Sequence, residues 1–153
     1  MDPHARLKEL GIELPKPAAP VANYVPFVLT GKLLSISGQV SRTADGTLIA
    51  GQVPTEVSVE DTIKAARLCG INLISQINAA LQGDLTRVKR IVKLGGFVNC
   101  AANFGDQPKV MNGASDLMVA VFGEAGRHSR SAVGSSSLPL NVTVEVDALV
   151  EVN

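Results

Sequence analysis

Apolar runs over residues 24–39 and a strict alternation of apolar and polar residues near the C-terminus predict β-strands. Residues 24–30 and 33–39 have strand character and are separated by a turn at Gly31 and Lys32, as in a β-hairpin. Residues 141–152 carry a valine or alanine at every second position, and most positions between them are polar. The last strand therefore has one face for a core and one polar face suited to a functional role.

The middle of the chain has the spacing of a long amphipathic helix. Ser58 followed by Asp61 is typical of an N-cap with an acidic first turn, and apolar side chains recur at helical spacing as far as Leu81. No charged residue lies between Arg67 and Asp84. We therefore expect both flanks of this helix to be covered by neighbouring elements.

A second helix and three further strands complete the pattern. The helix is predicted over residues 107–122, where Pro108 suits the first turn. Short strands are expected over residues 47–50, 87–97 and 131–135. Gly95 and Gly96 indicate a bulge or bend in the far half of the middle one of these strands. The order βββ-α-β-α-ββ predicts an α+β fold with one mixed six-stranded sheet and two helices on one face.

Residues 1–20 form an N-terminal extension ahead of this pattern. Residues 2–10 predict a short helix with Pro3 in its first turn. The prolines of residues 15–20 favour an extended arm. Residues 21–153 then make up a single domain.

The composition fits one compact domain with an aliphatic core. The chain has 153 residues, of which 46% are hydrophobic and only 3% aromatic. Oligomerisation is a natural way to cover the surplus apolar surface. The 14 basic and 14 acidic residues give a net charge of zero, which disfavours a dedicated nucleic-acid binder.

The cysteines and the N-terminus point to a cytoplasmic protein. Cys69 and Cys100 have no metal-ligand spacing and no second pair, so we interpret them as reduced, buried packing residues. Charged residues within the first fifteen positions leave no apolar region of a secretory signal. No uncharged apolar run is long enough to span a membrane.

Arg130 and Glu145 are the main candidates for chemistry. A guanidinium such as that of Arg130 can bind a carboxylate through two parallel bonds, although a surface arginine in a basic loop is an equal alternative. Glu145 lies within a strand between two valines, where an exposed residue on a polar sheet face is the simpler interpretation. Tyr24, the only tyrosine, is interpreted as a strand aromatic, and His128 as a solvated loop residue.

Other kinds of active site have no support in the sequence. Ser135, Ser136 and Ser137 have no histidine and acid spaced to activate a hydroxyl. The glycines do not form a phosphate-binding loop between a strand and a helix. The two histidines are too far apart in the chain to indicate a metal site.

Short segments of the chain carry a family resemblance. They are Arg130-Ser-Ala-Val133, Leu138-Pro139, Val144-Glu145-Val146, Ser37-Gly38-Gln39, Asn72-Leu73 and the run from Gly83 to Val88. Together they resemble the RidA/YjgF family of reactive-intermediate deaminases, over most of residues 21–153. The C-terminal part, from Arg130 to Glu145, is its most specific portion.

The resemblance implies a chorismate-mutase-like fold that assembles as a homotrimer with clefts between subunits. It also implies hydrolysis of 2-enamino and 2-imino acids, such as 2-aminoacrylate, to 2-keto acids and ammonia. It implies no cofactor and no metal. The partners we expect are therefore a small 2-imino or 2-keto acid and two further copies of the chain.

The resemblance also assigns roles to individual residues. The family's carboxylate-binding arginine falls on Arg130, and its water-orienting glutamate falls on Glu145. Its cleft tyrosine falls on Tyr24 and its cleft asparagine on Asn112. In the implied mechanism, the guanidinium clamps the substrate carboxylate while the glutamate directs water to the imine carbon.

Three features depart from the usual family pattern. Ala132 stands where the family often has cysteine, so only its backbone amide could bind substrate, with Gly38 beside it. The N-terminal extension and the segment from Cys100 to Gly105 could each reshape the cleft and change the small carboxylic substrate.

Two other functions remain open. Some family members carry an endoribonuclease label, but neutral charge and the lack of a histidine pair speak against RNA cleavage here. A trimer that only binds small carboxylates is harder to exclude, because Arg130 alone could hold an acid.

Overall fold

A computed structural model describes residues 1–19 and 22–153 of the chain. The boundary expected at residues 20–21 between the extension and the domain lies outside the described residues. The helices are α1 (Pro3–Glu9), α2 (Val59–Ala80) and α3 (Gln107–Phe122). The strands are β1 (Phe27–Thr30), β2 (Leu33–Val40), β3 (Val88–Asn99), β4 (Ser129–Ser135) and β5 (Val144–Val152).

The strands form one five-stranded mixed sheet in the order β1-β2-β5-β3-β4. The β3 and β4 strands are parallel, and the other neighbours are antiparallel. The α+β class with a mixed sheet is confirmed, but the predicted count of six strands is wrong. Residues 47–50 lie between Gly46 and Gly51, which both have positive φ, and they make only isolated bridges across the ends of β2 and β5. A four-residue segment bent at both ends cannot extend the ladder.

The core lies between one face of the sheet and the helices α2 and α3. Alternate β5 valines, beginning with Val144 and Val146, point into it and are fully buried. The helix α2 begins at the predicted cap, because the Ser58 hydroxyl accepts a hydrogen bond from Asp61 N at 3.1 Å. At Gly113 of α3, a Cβ would collide with the carbonyl oxygen of Ile63 in α2. Glycine at this position therefore allows the two helices to pack closely.

Gly95 and Gly96 do not mark the predicted bulge. They pair in register with Asp147 and Val146, and the irregularities of β3 lie nearer its start. A Cβ at Gly95 would collide with the carboxylate of Asp147, whereas a Cβ at Gly96 would collide with the Met111 side chain. The two glycines thus leave space for larger side chains on both faces of the sheet.

The N-terminal extension packs on both long helices, with α1 against α3 and the arm bonded to α2. His4 Nε2 lies 2.8 Å from the carbonyl oxygen of Gly83. Ser75 Oγ donates to the carbonyl of Pro15 at 2.5 Å, and Gln76 Nε2 donates to that of Ala18 at 3.1 Å. These bonds bring the arm, residues 15–19, to the edge of the sheet. Among the described residues, no helix combines the length and apolar character needed to cross a membrane.

Candidate functional site

Arg130 lies on the edge strand β4 and turns its side chain toward α3. Its Nη1 atom donates to Asn112 Oδ1 at 3.0 Å and to Ser115 Oγ at 3.1 Å, and its Nη2 atom donates to the carbonyl of Pro108 at 3.3 Å. The guanidinium is therefore held in one orientation while remaining half-buried. A cation fixed in this way is suited to binding an anion, because little side-chain entropy remains to be lost.

Ser115 is itself held by His128, a link that sequence reasoning missed. His128 Nδ1 lies 2.6 Å from the Gly126 carbonyl, and Nε2 lies 2.9 Å from Ser115 Oγ. A carbonyl only accepts, so Nδ1 carries a proton, and in the neutral ring Nε2 accepts the Ser115 hydroxyl. The Ser115 oxygen then accepts from Arg130.

His128 lies in a loop, as predicted, but its ring is half-buried and hydrogen-bonded instead of solvated. The short helical turn at Gly123–Gly126 folds the half-buried ring back against α3. Asn112 and Ser115, three residues apart on α3, share one face of that helix. This spacing was the only sequence signal that could have pointed to Ser115.

Glu145 lies on the other face of the sheet, beside Gly38 of β2. A Cβ at Gly38 would collide with Glu145 Oε1, so the glycine provides the space that the carboxylate fills. Burial raises the pKa of Glu145 above its ordinary value, and the nearby Asp147 carboxylate raises it further. A carboxylate with a raised pKa is better suited to accept and return a proton near neutral pH.

A cavity of about 610 Å³ opens beside Glu145 at the edge of the sheet. Tyr24 and Gly38 line it together with the arm and with the turn that follows β2. Tyr24 is 54% exposed and does not pack within the strand β1, so its interpretation as a strand aromatic is wrong. The strand begins only at Phe27, because Pro26 has no N–H to donate to a ladder.

The predicted site residues fall into two groups within one chain. Tyr24, Gly38 and Glu145 lie around the cavity. Arg130 contacts Asn112, and Ala132 of the same strand packs against the core side of the sheet.

The two groups face opposite sides of the sheet. Arg130 is aligned with the fully buried Leu94 of β3, whereas Glu145 is aligned with Phe97, three residues further along. One protomer therefore does not bring the guanidinium and the carboxylate together. Within residues 1–19 and 22–153, no group of three or more histidines, cysteines or acids is placed to hold a metal ion.

The chain matches the family model described as "YjgF/chorismate_mutase-like, putative endoribonuclease" over residues 4–152. It is 51% identical to Protein TCP17 of Trypanosoma cruzi over 150 residues, covering 97% of this chain and 93% of that one. The crystal structure of Atu1372 from Agrobacterium tumefaciens, titled as a protein of unknown function, is 46% identical with a TM-score of 0.91, covering 99% and 94% of the two chains.

Another solved structure is titled a "putative endoribonuclease" from Shewanella oneidensis. It is 38% identical with a TM-score of 0.95, covering 99% of this chain and 100% of that one. RidA from the Antarctic bacterium Psychrobacter sp. PAMC 21119 is 25% identical with a TM-score of 0.60, covering 92% and 96% of the two chains. The protein belongs to the RidA/YjgF family, as its C-terminal motifs predicted.

Proposed function

We propose that the protein is a hydrolytic deaminase that converts 2-enamino and 2-imino acids to 2-keto acids and ammonia in clefts between the subunits of a homotrimer. The observation that supports this proposal is that the two halves of the candidate site lie on opposite faces of the sheet. Arg130 is held ready to bind an acid on one face of the sheet, and Glu145 has a raised pKa beside a cavity on the other. Arg130 of one protomer and Glu145 of a neighbouring protomer can then contact one substrate.

The proposed reaction uses the two groups in different roles. Arg130 binds the substrate carboxylate and fixes the orientation of the imine carbon. A water molecule attacks the carbon of the imine protonated at nitrogen while Glu145 accepts a proton from that water, which gives a neutral, tetrahedral amino alcohol. Glu145 then returns the proton to nitrogen, the C–N bond breaks as ammonia leaves with the bonding electron pair, and the Glu145 carboxylate accepts the hydroxyl proton as the C=O bond of the keto acid forms. An enamine first becomes the protonated imine by taking up a proton from solvent at carbon.

Exposed apolar side chains support the proposed assembly. Val28, Leu33 and Val133 of the sheet are 51%, 41% and 47% exposed. They belong to the strands β1, β2 and β4, so exposed apolar residues lie on both sides of the central strands β5 and β3. Contact between protomers would remove such surface from water, at about 25 cal/mol for each Å² buried.

The first test uses an amino-acid oxidase to generate imino acids in the presence of semicarbazide. An imine hydrolase lowers the formation of semicarbazone, because it removes the imine before it is trapped. We expect Arg130→Ala to lose this activity and to keep the assembly of the wild type in sedimentation. Activity that survives the substitution would refute the role of Arg130.

The second test asks whether the cleft is shared. A 1:1 random mixture of Arg130→Ala and Glu145→Gln chains, exchanged by refolding together, restores both residues in one cleft of each mixed trimer. About a quarter of the wild-type activity should then return, because about three quarters of the trimers are mixed and each has one intact cleft in three. Absence of recovery in a verified mixture would refute a cleft shared between protomers.

A binding-only role is the second candidate, and the fixed guanidinium of Arg130 favours it. Such a protein would bind a keto acid such as pyruvate in calorimetry but leave semicarbazone formation unchanged. Turnover by the wild type that Glu145→Gln abolishes would exclude this candidate. Some relatives are titled endoribonucleases, and RNA cleavage by the wild type that disappears in Arg130→Ala would support that activity for this chain.

A further inference from the structure

The cavity beside Glu145 contains a cation that the proposed mechanism does not use. Arg42 follows β2 and lines the cavity together with Glu145. Its Nε atom is buried and has no hydrogen-bond partner among the described residues. Within those residues, the ion pairs involve other cations, so no carboxylate is paired with Arg42. A partly buried cation without a paired carboxylate is costly, which favours an anion in the cavity that Arg42 lines.

The backbone holds Arg42 firmly at this place. Asn72 of α2 donates its side-chain amide to the carbonyls of Val40 and Arg42, both at 3.1 Å. Arg42 also bridges to Leu48 in the segment that follows. The start of the Arg42 side chain is thus fixed by backbone bonds that do not depend on its own identity.

We propose that Arg42 binds a second acidic group of the substrate, so that this chain acts on imino acids whose side chain carries a carboxylate. The identity of the substrate rests on the proposed function. Val40 pairs with Glu145, and the Arg42 N–H donates to the Val40 carbonyl at 2.9 Å in a tight turn, so Arg42 stays close to Glu145 and lines the same cavity. An acidic side chain on a substrate held beside Glu145 would therefore meet this cation.

The other charges of the cavity are compatible with an anionic ligand. Lys16 of the arm lines the same cavity and adds a second positive charge. Asp45 also lines it, but its carboxylate accepts hydrogen bonds from Thr43 Oγ1 and Thr47 N, which lower its pKa to about 2. Asp45 is therefore engaged in its own turn and fully exposed to screening solvent, whereas Arg42 Nε is buried.

The test compares imines of acidic and neutral amino acids in the semicarbazide assay. L-Aspartate or L-glutamate oxidase supplies the acidic imine, and a broad L-amino-acid oxidase supplies that of leucine. We expect the wild type to prefer the acidic imine in kcat/KM, and Arg42→Met to reduce the ratio of acidic to neutral kcat/KM by at least about ten-fold. Arg42→Lys should recover part of the ratio, because it keeps the charge.

Arg90→Met is the matched control. Arg90 is exposed on β3 and pairs in register with Glu151, at the far end of the sheet from Phe97 and Glu145. Its substitution should leave the ratio unchanged. An equal ratio in wild type and Arg42→Met, with imine hydrolysis intact, would overturn the proposal while leaving the proposed function in place.

A binding measurement separates the two proposals if no imine is hydrolysed. Succinate is titrated into the wild type and Arg42→Met by calorimetry, with a neutral amide of similar size as the reference. Succinate binding that Arg42→Met weakens at least about ten-fold supports the anion site even when catalysis fails. Equal binding by both proteins, or none, overturns it.

Discussion

Replacing Gly38 by alanine should impair catalysis while leaving the fold almost intact. The new Cβ would collide with Glu145 Oε1 and would lie 3.0 Å from Cδ and 3.1 Å from Cγ of the same side chain. The whole end of the Glu145 side chain must therefore move. Since it is the flexible end of a side chain, the strain should be about 0.5–1.5 kcal/mol, typical of a displaced rotamer.

The catalytic consequence should be larger than the consequence for stability. A displacement of about 1 Å in a catalytic group can cost about 100-fold in rate. We expect Gly38→Ala to lower kcat for imine hydrolysis by about that factor and to lower the free energy of unfolding by no more than about 1.5 kcal/mol. Both are measurable, the first in the semicarbazide assay and the second by denaturant unfolding.

Gly105→Ala provides the control for this experiment. A Cβ at Gly105 would meet no atom within 4 Å, and the residue is not among those with positive φ. Its activity and stability should remain close to those of the wild type. A Gly38→Ala protein with wild-type kcat, or one that loses activity only because it unfolds, would refute the reasoning about Glu145.

Two further predictions concern the Asp147 carboxylate and the contact between α2 and α3. Asp147→Asn removes a negative charge that raises the pKa of Glu145. The acid limb of the pH profile of kcat/KM should therefore move to lower pH. A shift to higher pH would contradict the assignment of Glu145 as the base. Gly113→Ala places a Cβ against the backbone carbonyl of Ile63, which cannot rotate away. The substitution should lower the free energy of unfolding by about 1–3 kcal/mol. Unchanged stability would show that α2 and α3 separate freely.

Periodicity predicted the elements whose burial is regular. The long helix from Ser58, the helix Gln107–Phe122 and the alternating strand β5 follow directly from apolar spacing, because each has one face against the core. Residues 47–50 have strand composition, but the bends on either side restrict them to bridges. Pairing across a sheet depends on long-range geometry, which a local pattern does not contain.

The candidate site was predictable in its main residues but not in its arrangement. Motif resemblance pointed to Arg130 and Glu145, yet their placement on opposite faces depends on the register of β3 with both neighbours. The roles of Ser115 and Arg42 come from contacts distant in sequence. Asn72 lies 30 residues from the carbonyl of Arg42 to which it donates. No local spacing could have indicated that link.

The arm is attached through its main chain, and this gives the protein room to diversify. The acceptors for Ser75 and Gln76 are the carbonyls of Pro15 and Ala18, which any amino acid would offer equally. Side chains along residues 15–19 can therefore be exchanged without loss of these two bonds. An engineer, or natural variation, could vary Lys16 and its neighbours to change what enters the cavity while leaving the hydrophobic interior as it is.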